Sequence, residues 1–297
     1  LVEQHFFGQL QEWGKRRGVP SGGHLIYEEN LLHHVGFYGD FLRCIRRLDA
    51  PSIDCLTSDP AEVPWHIARM IGSIADLRGL RLRMCETSDF GQVYRPAGDS
   101  RPVRQVTEAE IRGTINRLLL GGINIITSYY TFQGITSDQL RRLNLHTGRC
   151  SALLTGGHQV TPVAMLYPVE SVWHRYFPSR HGPTGNPEAA WVESVFRQAS
   201  DTLYHSGIDF TYLDTRAILE ARLERGQLRL GNMAWRVLVL PAVDTLPIAA
   251  WRKLERFVMA GGRVIALAAE PANSATEFPS AEVAAIGKRL AGGGDGP

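Results

Sequence analysis

Apolar residues along this chain recur at helical spacing and in short continuous runs, by turns. In VEQHFFGQLQEWGKRRG (residues 2–18), Phe6, Phe7, Leu10 and Trp13 form one helical stripe, and Lys15, Arg16, Arg17 and Gly18 close it as a helix C-terminal signal. The run His24-Leu25-Ile26-Tyr27 is too short for a helix and follows two glycines, so it reads as a strand ending in Glu28 and Glu29. DFLRCIRRLD (residues 40–49) predicts a helix and PSIDCL a short strand. VPWHIARMIGSIADLRG predicts an amphipathic helix ending at Gly79, followed by the strand LRLRMCE. TEAEIRGTINRLLLGG opens on Thr107 with Glu110 three residues on, a capping box, and leads into the strand INIITSYY.

Four strands, each preceded by a helix, predict a parallel sheet with crossover connections. A second unit begins near residue 159. VTPVAMLYP, DFTYLD, RVLVLP and RVIALA read as its strands, with helices PEAAWVESVFRQASDTLYHSG and IAAWRKLERFVMAGG between them. That order predicts an open, doubly wound, flavodoxin-like sheet. In the first unit the polar residues gather at strand C-terminal ends: Glu28, Asp54, Glu86 and the pair Tyr129-Tyr130. Four successive polar strand ends favour part of a (β/α)8 barrel over an open sheet, which places ligands only near its switch point. The expected division is residues 1–157 and 158–297.

Composition changes this picture little. The 297 residues are 44% hydrophobic and 21% charged, with a net charge of +2, so a sizeable core and an ordinary globular protein are expected. Arginines are scattered rather than striped with aromatics, which argues against nucleic acid; no run is long enough to cross a membrane. The four cysteines, Cys44, Cys55, Cys85 and Cys150, lack metal spacing and are expected to be buried thiols. The chain has no initiator Met, opens inside an apparent helix and closes in AGGGDGP, which suggests a segment of a longer protein. The lack of a signal peptide is then no guide to compartment, cytoplasmic or secreted.

Carboxylates at a barrel mouth suit glycosidic cleavage, where one acid protonates the leaving oxygen and a second carboxylate activates water or attacks the anomeric carbon. Glu86 is the leading catalytic candidate, with Glu28 its partner and Glu29 the alternative. Asp54 and His24 stand beside them, and both also suit purely structural roles. Tyr129, Tyr130 and Trp173 are candidates to stack on a sugar ring; Trp173 equally suits domain packing. His24, Glu29, Asp54, Tyr129, Tyr130 and Trp173 therefore make up the expected substrate-binding set. Alternation along a regular strand would turn Glu28 to the mouth and Glu29 outward. Neither G-x-S-x-G nor a P-loop occurs.

The phrases GHLIYEENLLHHVGFYGDFLRCIRRLDAPSIDCL, LRLRMCETSDF and LLLGGINIITSYYTFQG resemble the later barrel strands of glycoside hydrolase family 106 α-L-rhamnosidases. VAMLYPVESVW, HSGIDFTYLDTRAI and the stretch from Trp235 to Leu267 are similar to the domain that follows the barrel there. Family 42 β-galactosidases carry a similar domain, akin in fold to class I glutamine amidotransferases. The resemblance implies hydrolysis of terminal α-L-rhamnosides with inversion, Glu86 serving as general base and Glu28 as general acid. The alternatives are a β-galactosidase-like glycosidase, or a non-catalytic carbohydrate-binding or scaffold module. It also implies a calcium ion at the sugar subsite, without naming its ligands here, and allows a homo-oligomer through the C-terminal domain. The amidotransferase nucleophile has no counterpart, since Ala242-Val243-Asp244 follows RVLVLP; that domain is expected to be structural.

Overall fold

The computed structural model describes residues 1–181 and 185–292; the end of the Gly-rich close, residues 293–297, lies outside them. The chain divides into two compact units: Leu1–Glu29 with Arg43–Gly157, and Asn30–Leu42 with the chain from His158 onward.

In the first unit a four-stranded parallel sheet runs in the order β1 (Gly22–Gly23), β2 (Ala50–Cys55), β3 (Met84–Ser88) and β4 (Ile125–Tyr129). Sequential strands, all parallel, are what a barrel wall requires. Ile53, Cys55, Cys85 and Thr87 are fully buried on one side of this wall. Asp54 and Glu86, at intervening positions, point to the other side. Helix Trp65–Arg78 packs on β2 and against helix Glu108–Gly121. The two helices approach closely because glycines meet: a Cβ on Gly72 would lie 2.5 Å from the Gly121 carbonyl oxygen. Thr107 and Glu110 form the expected capping box, and Gly79 (φ 65°) ends the first helix in the left-handed conformation. Arg83 forms a buried ion pair with Asp76 and donates to the Gly157 carbonyl at 3.0 Å, fixing the approach to β3.

Three expectations change here. The segment from His24 to Glu28 is not a strand; β1 stops at Gly23. Tyr27 takes a left-handed φ of 55°, which no strand can contain, and Leu25 N–H donates to the Glu28 carboxylate at 2.7 Å, closing the segment into a loop. The first helix splits into a wide π turn (Glu3–Gly8) and an α segment (Gln9–Lys15). Its stripe is exposed at Phe6, Leu10 and Trp13, and only Phe7 reaches the core. The helix Ser137–Leu154 was not expected: it is mostly polar, and among its residues only Leu143 is buried. Its start is nonetheless written in a second capping box, Thr136 with Gln139.

The second unit holds β5 (Val163–Leu166), β6 (Thr211–Leu213), β7 (Arg222–Glu224), β8 (Gln227–Leu230), β9 (Met233–Trp235), β10 (Val237–Pro241) and β11 (Arg263–Leu267). Its main sheet is parallel, in the order β11-β10-β5-β6. The first strand in sequence thus lies inside, between β6 and β10, which is the flavodoxin-like arrangement. Helix Pro187–His205 buries Ala189, Val192 and Phe196; helix Ile248–Met259 buries Trp251, Leu254 and Phe257. β7, β8 and β9 form a small antiparallel sheet that the sequence reading lacked. Arg225 (φ 49°) and Gly226 (φ 69°) make its first turn, and Arg is a poor advertisement for a turn with two positive φ values. The segment Asn30–Leu42 joins this unit through Glu193, which accepts the Leu32 N–H at 3.0 Å, and through His34, bonded to the buried Tyr167 hydroxyl at 3.0 Å. After β10, Ala242 adopts φ 49° and donates its N–H to the Leu267 carbonyl.

Candidate active site

The chemistry-bearing side chains of the first unit converge just past β1, near the end of β2 and midway along β3, which runs on to Ser88 instead of ending at Glu86 as expected. Asp54 and Glu86 are register partners on adjacent strands, and Glu86 is in turn the partner of Thr127 on β4. Their side chains therefore share one face, which makes a polar row across the wall. Glu86 is open to solvent, its side chain 39% exposed. His24, just past β1, lays its imidazole between two carboxylates: Nδ1 is 3.8 Å from Glu28 Oε1, and Nε2 is 3.9 Å from Glu86 Oε2.

Glu28 differs sharply from Glu86 in its surroundings. It is 2% exposed, with Oε1 accepting from Leu25 N–H at 2.7 Å and Oε2 from Asp54 N–H at 3.1 Å. Burial pushes its carboxyl well above the ordinary value, and the two N–H donors only partly offset that. A raised pKa suits a proton donor, yet these oxygens are spent on the backbone N–H groups of Leu25 and Asp54. Glu29, its neighbour, is exposed, and its charge raises both Glu28 and Asp54. Burial pushes Asp54 up as well, His24 pulls it down, and Glu86 pushes it up again. Asp54 Oδ1 is buried without a hydrogen-bond partner among the described residues.

The aromatic candidates separate. Tyr129 is 73% exposed and lies two residues beyond Thr127 on the Glu86 face. Tyr130 turns the other way and packs against the cluster of Val106, Ile111, Ile115, Leu119 and Leu143, where burial raises its hydroxyl. Trp173 belongs to the second unit, its indole N–H donating to the Gly39 carbonyl at 2.6 Å. Thr127 was absent from the expected set; its place in the polar row depends on register, which no local pattern in INIITSYY announces. Among the described residues no group of three or more His, Cys, Asp and Glu side chains is arranged to hold a metal ion. The calcium implied by resemblance is therefore not matched by such a carboxylate group among the described residues. Also among the described residues, no helix is long and apolar enough to cross a membrane.

No protein-family profile matches the chain, and no curated protein matches it. Solved structures do. Gan42B, a GH42 β-galactosidase from G. stearothermophilus, matches 94% of this chain at 14% identity with a TM-score of 0.53. A β-galactosidase from Rahnella sp. R3 matches 89% at 16% identity and 0.52, and a catalytic mutant of Gan42B 89% at 12% and 0.51. The chain has their fold: part of a (β/α)8 barrel, then a parallel α/β domain. It spans 42%, 39% and 40% of those chains, about two fifths of each. The likeness is one of architecture, and the family 106 rhamnosidases are not among these three.

Proposed function

We propose that this chain is the part of a glycoside hydrolase that contributes Glu86 to the reaction, acting on a terminal β-galactoside-like sugar. The observation that carries the reading is Glu86 itself: a solvent-open carboxylate on β3, its side chain on the face opposite the buried Cys85 and Thr87, in a row with Asp54 and Thr127 and against His24. Such a carboxylate supplies electrons at the anomeric carbon, directly or through a water that it deprotonates. The leaving oxygen needs a proton from a second acid. Burial favours Glu28 keeping its proton, but both its oxygens are taken by backbone N–H groups, so its part is to brace the loop that presents His24. Tyr129 offers a ring face beside the row.

The structural neighbours, described as β-galactosidases, support a galactoside over the rhamnoside that the sequence resemblance implied. The shared phrases around Glu28 and Glu86 keep the rhamnoside as the second reading. Initial rates of the intact natural protein on aryl β-D-galactosides and aryl α-L-rhamnosides separate the two. Cleavage of the galactoside, reduced about 10³-fold by Glu86→Gln, is the expected result. Cleavage of the rhamnoside alone would move the substrate to the second reading, and wild-type rates in the variant would remove Glu86 from the chemistry.

A further inference from the structure

We propose that His24 is the positioning residue for Glu86: its imidazole, clamped by the backbone, holds the carboxylate in its reacting orientation. This rests on the reading of Glu86 given above. The ring reaches from the end of β1 across β2 to a side chain on β3, so it spans two strand spacings, about 10 Å of sheet. Its own orientation is set locally. Nδ1 lies 2.8 Å from the Leu25 carbonyl oxygen, which can only accept, so Nδ1 carries the hydrogen and Nε2 is the atom turned to Glu86.

Behind the ring, Glu28 Oε1 sits 3.8 Å from Nδ1 while accepting the Leu25 N–H. The same loop therefore fixes both the ring and its rear carboxylate. The charged groups around the ring are Glu28 and Glu29 from the loop, Asp54 from β2 and Glu86 from β3. Of these, Glu86 is the carboxylate that Nε2 faces. A separation of 3.9 Å exceeds a hydrogen bond but lets one water oxygen lie within bonding distance of both atoms, donating one hydrogen to the Nε2 lone pair and the other to Glu86.

The test compares His24→Asn and His24→Gln with wild type in the intact protein, with Glu86→Gln alongside. Asn keeps a donor for the Leu25 carbonyl but nothing at the Nε2 position; Gln places an amide near Nε2. Positioning predicts that His24→Asn lowers kcat by about 10²-fold with KM changed less than about 3-fold, and that His24→Gln recovers part of the loss. Nitrogen-15 spectra of the wild type should show His24 as the Nδ1–H tautomer whatever the substrate. An Nε2–H tautomer, or an unchanged kcat in His24→Asn beside an inactive Glu86→Gln, would overturn the role of His24 alone. An active Glu86→Gln would instead overturn the reading on which it rests.

Discussion

At the scale of single residues, the second unit gives the clearest pH prediction. Asp244 follows the turn after β10 and receives both ends of the Arg175 guanidinium, while its backbone N–H donates to Ser171 Oγ at 3.1 Å. Burial pushes its carboxyl up, but Arg175, Thr245 and His174 outweigh burial and hold it below the ordinary value of 3.8. A depressed carboxyl stabilises the fold above its unfolded value and loses that contribution as pH falls through the folded one. Asp244→Asn should therefore cost about 2 kcal/mol at pH 7, where the pair is charged, and much less near pH 2. Urea unfolding at the two pH values checks this, and an equal loss at both would contradict the ion-pair origin. This residue was visible in the sequence only as the place where an amidotransferase nucleophile was missing. Its partner, Arg175, lies 69 positions away and no local pattern joins them.

At the scale of elements, what was legible is what local chemistry dictates. The Thr107 capping box, the Gly79 stop and the parallel strands β2 and β4 lie where composition and spacing predict, while β3 starts four residues later than LRLRMCE suggests and runs on to Ser88. What was missed had either low apolar content, as in Ser137–Leu154, or an unadvertised positive φ, as at Tyr27 and Arg225. The Tyr27 case matters most for the site. A regular strand would have placed Glu28 and Glu29 by alternation, whereas the loop buries one and exposes the other for reasons set by backbone hydrogen bonds. Two glycines give an element-scale test of opposite signs. Gly72→Ala drives a methyl into the Gly121 carbonyl of the neighbouring helix and should destabilise by about 1–3 kcal/mol. Gly148→Ala, within Ser137–Leu154, meets nothing within 4 Å and should stabilise by about 0.5–1 kcal/mol. Denaturant midpoints of the two variants should move in opposite directions; shifts of the same sign would mean that the helix crossing is not where contact is tightest.

At the scale of the whole molecule, the sequence pattern and the structural neighbours agree on architecture: barrel strands first, then a parallel α/β domain. The proposed function rests on polar residues that the sequence pattern singled out, Asp54 and Glu86, which fall in one row on the sheet. The substrate was not legible, because sugar choice depends on the geometry of hydroxyl contacts rather than on residue types. The central claim is that Glu86 works at the anomeric carbon, and chemical rescue tests it most directly. In the intact protein, Glu86→Ala removes the carboxylate and leaves room for a small anion. Added azide or formate should then restore turnover of an activated aryl β-D-galactoside, azide by attacking the anomeric carbon as the phenolate departs, to give a glycosyl azide. Rate recovery that rises with anion concentration, absent in wild type, is the predicted result; a correctly folded Glu86→Ala that cleaves as fast as wild type, or that no anion revives, would contradict it.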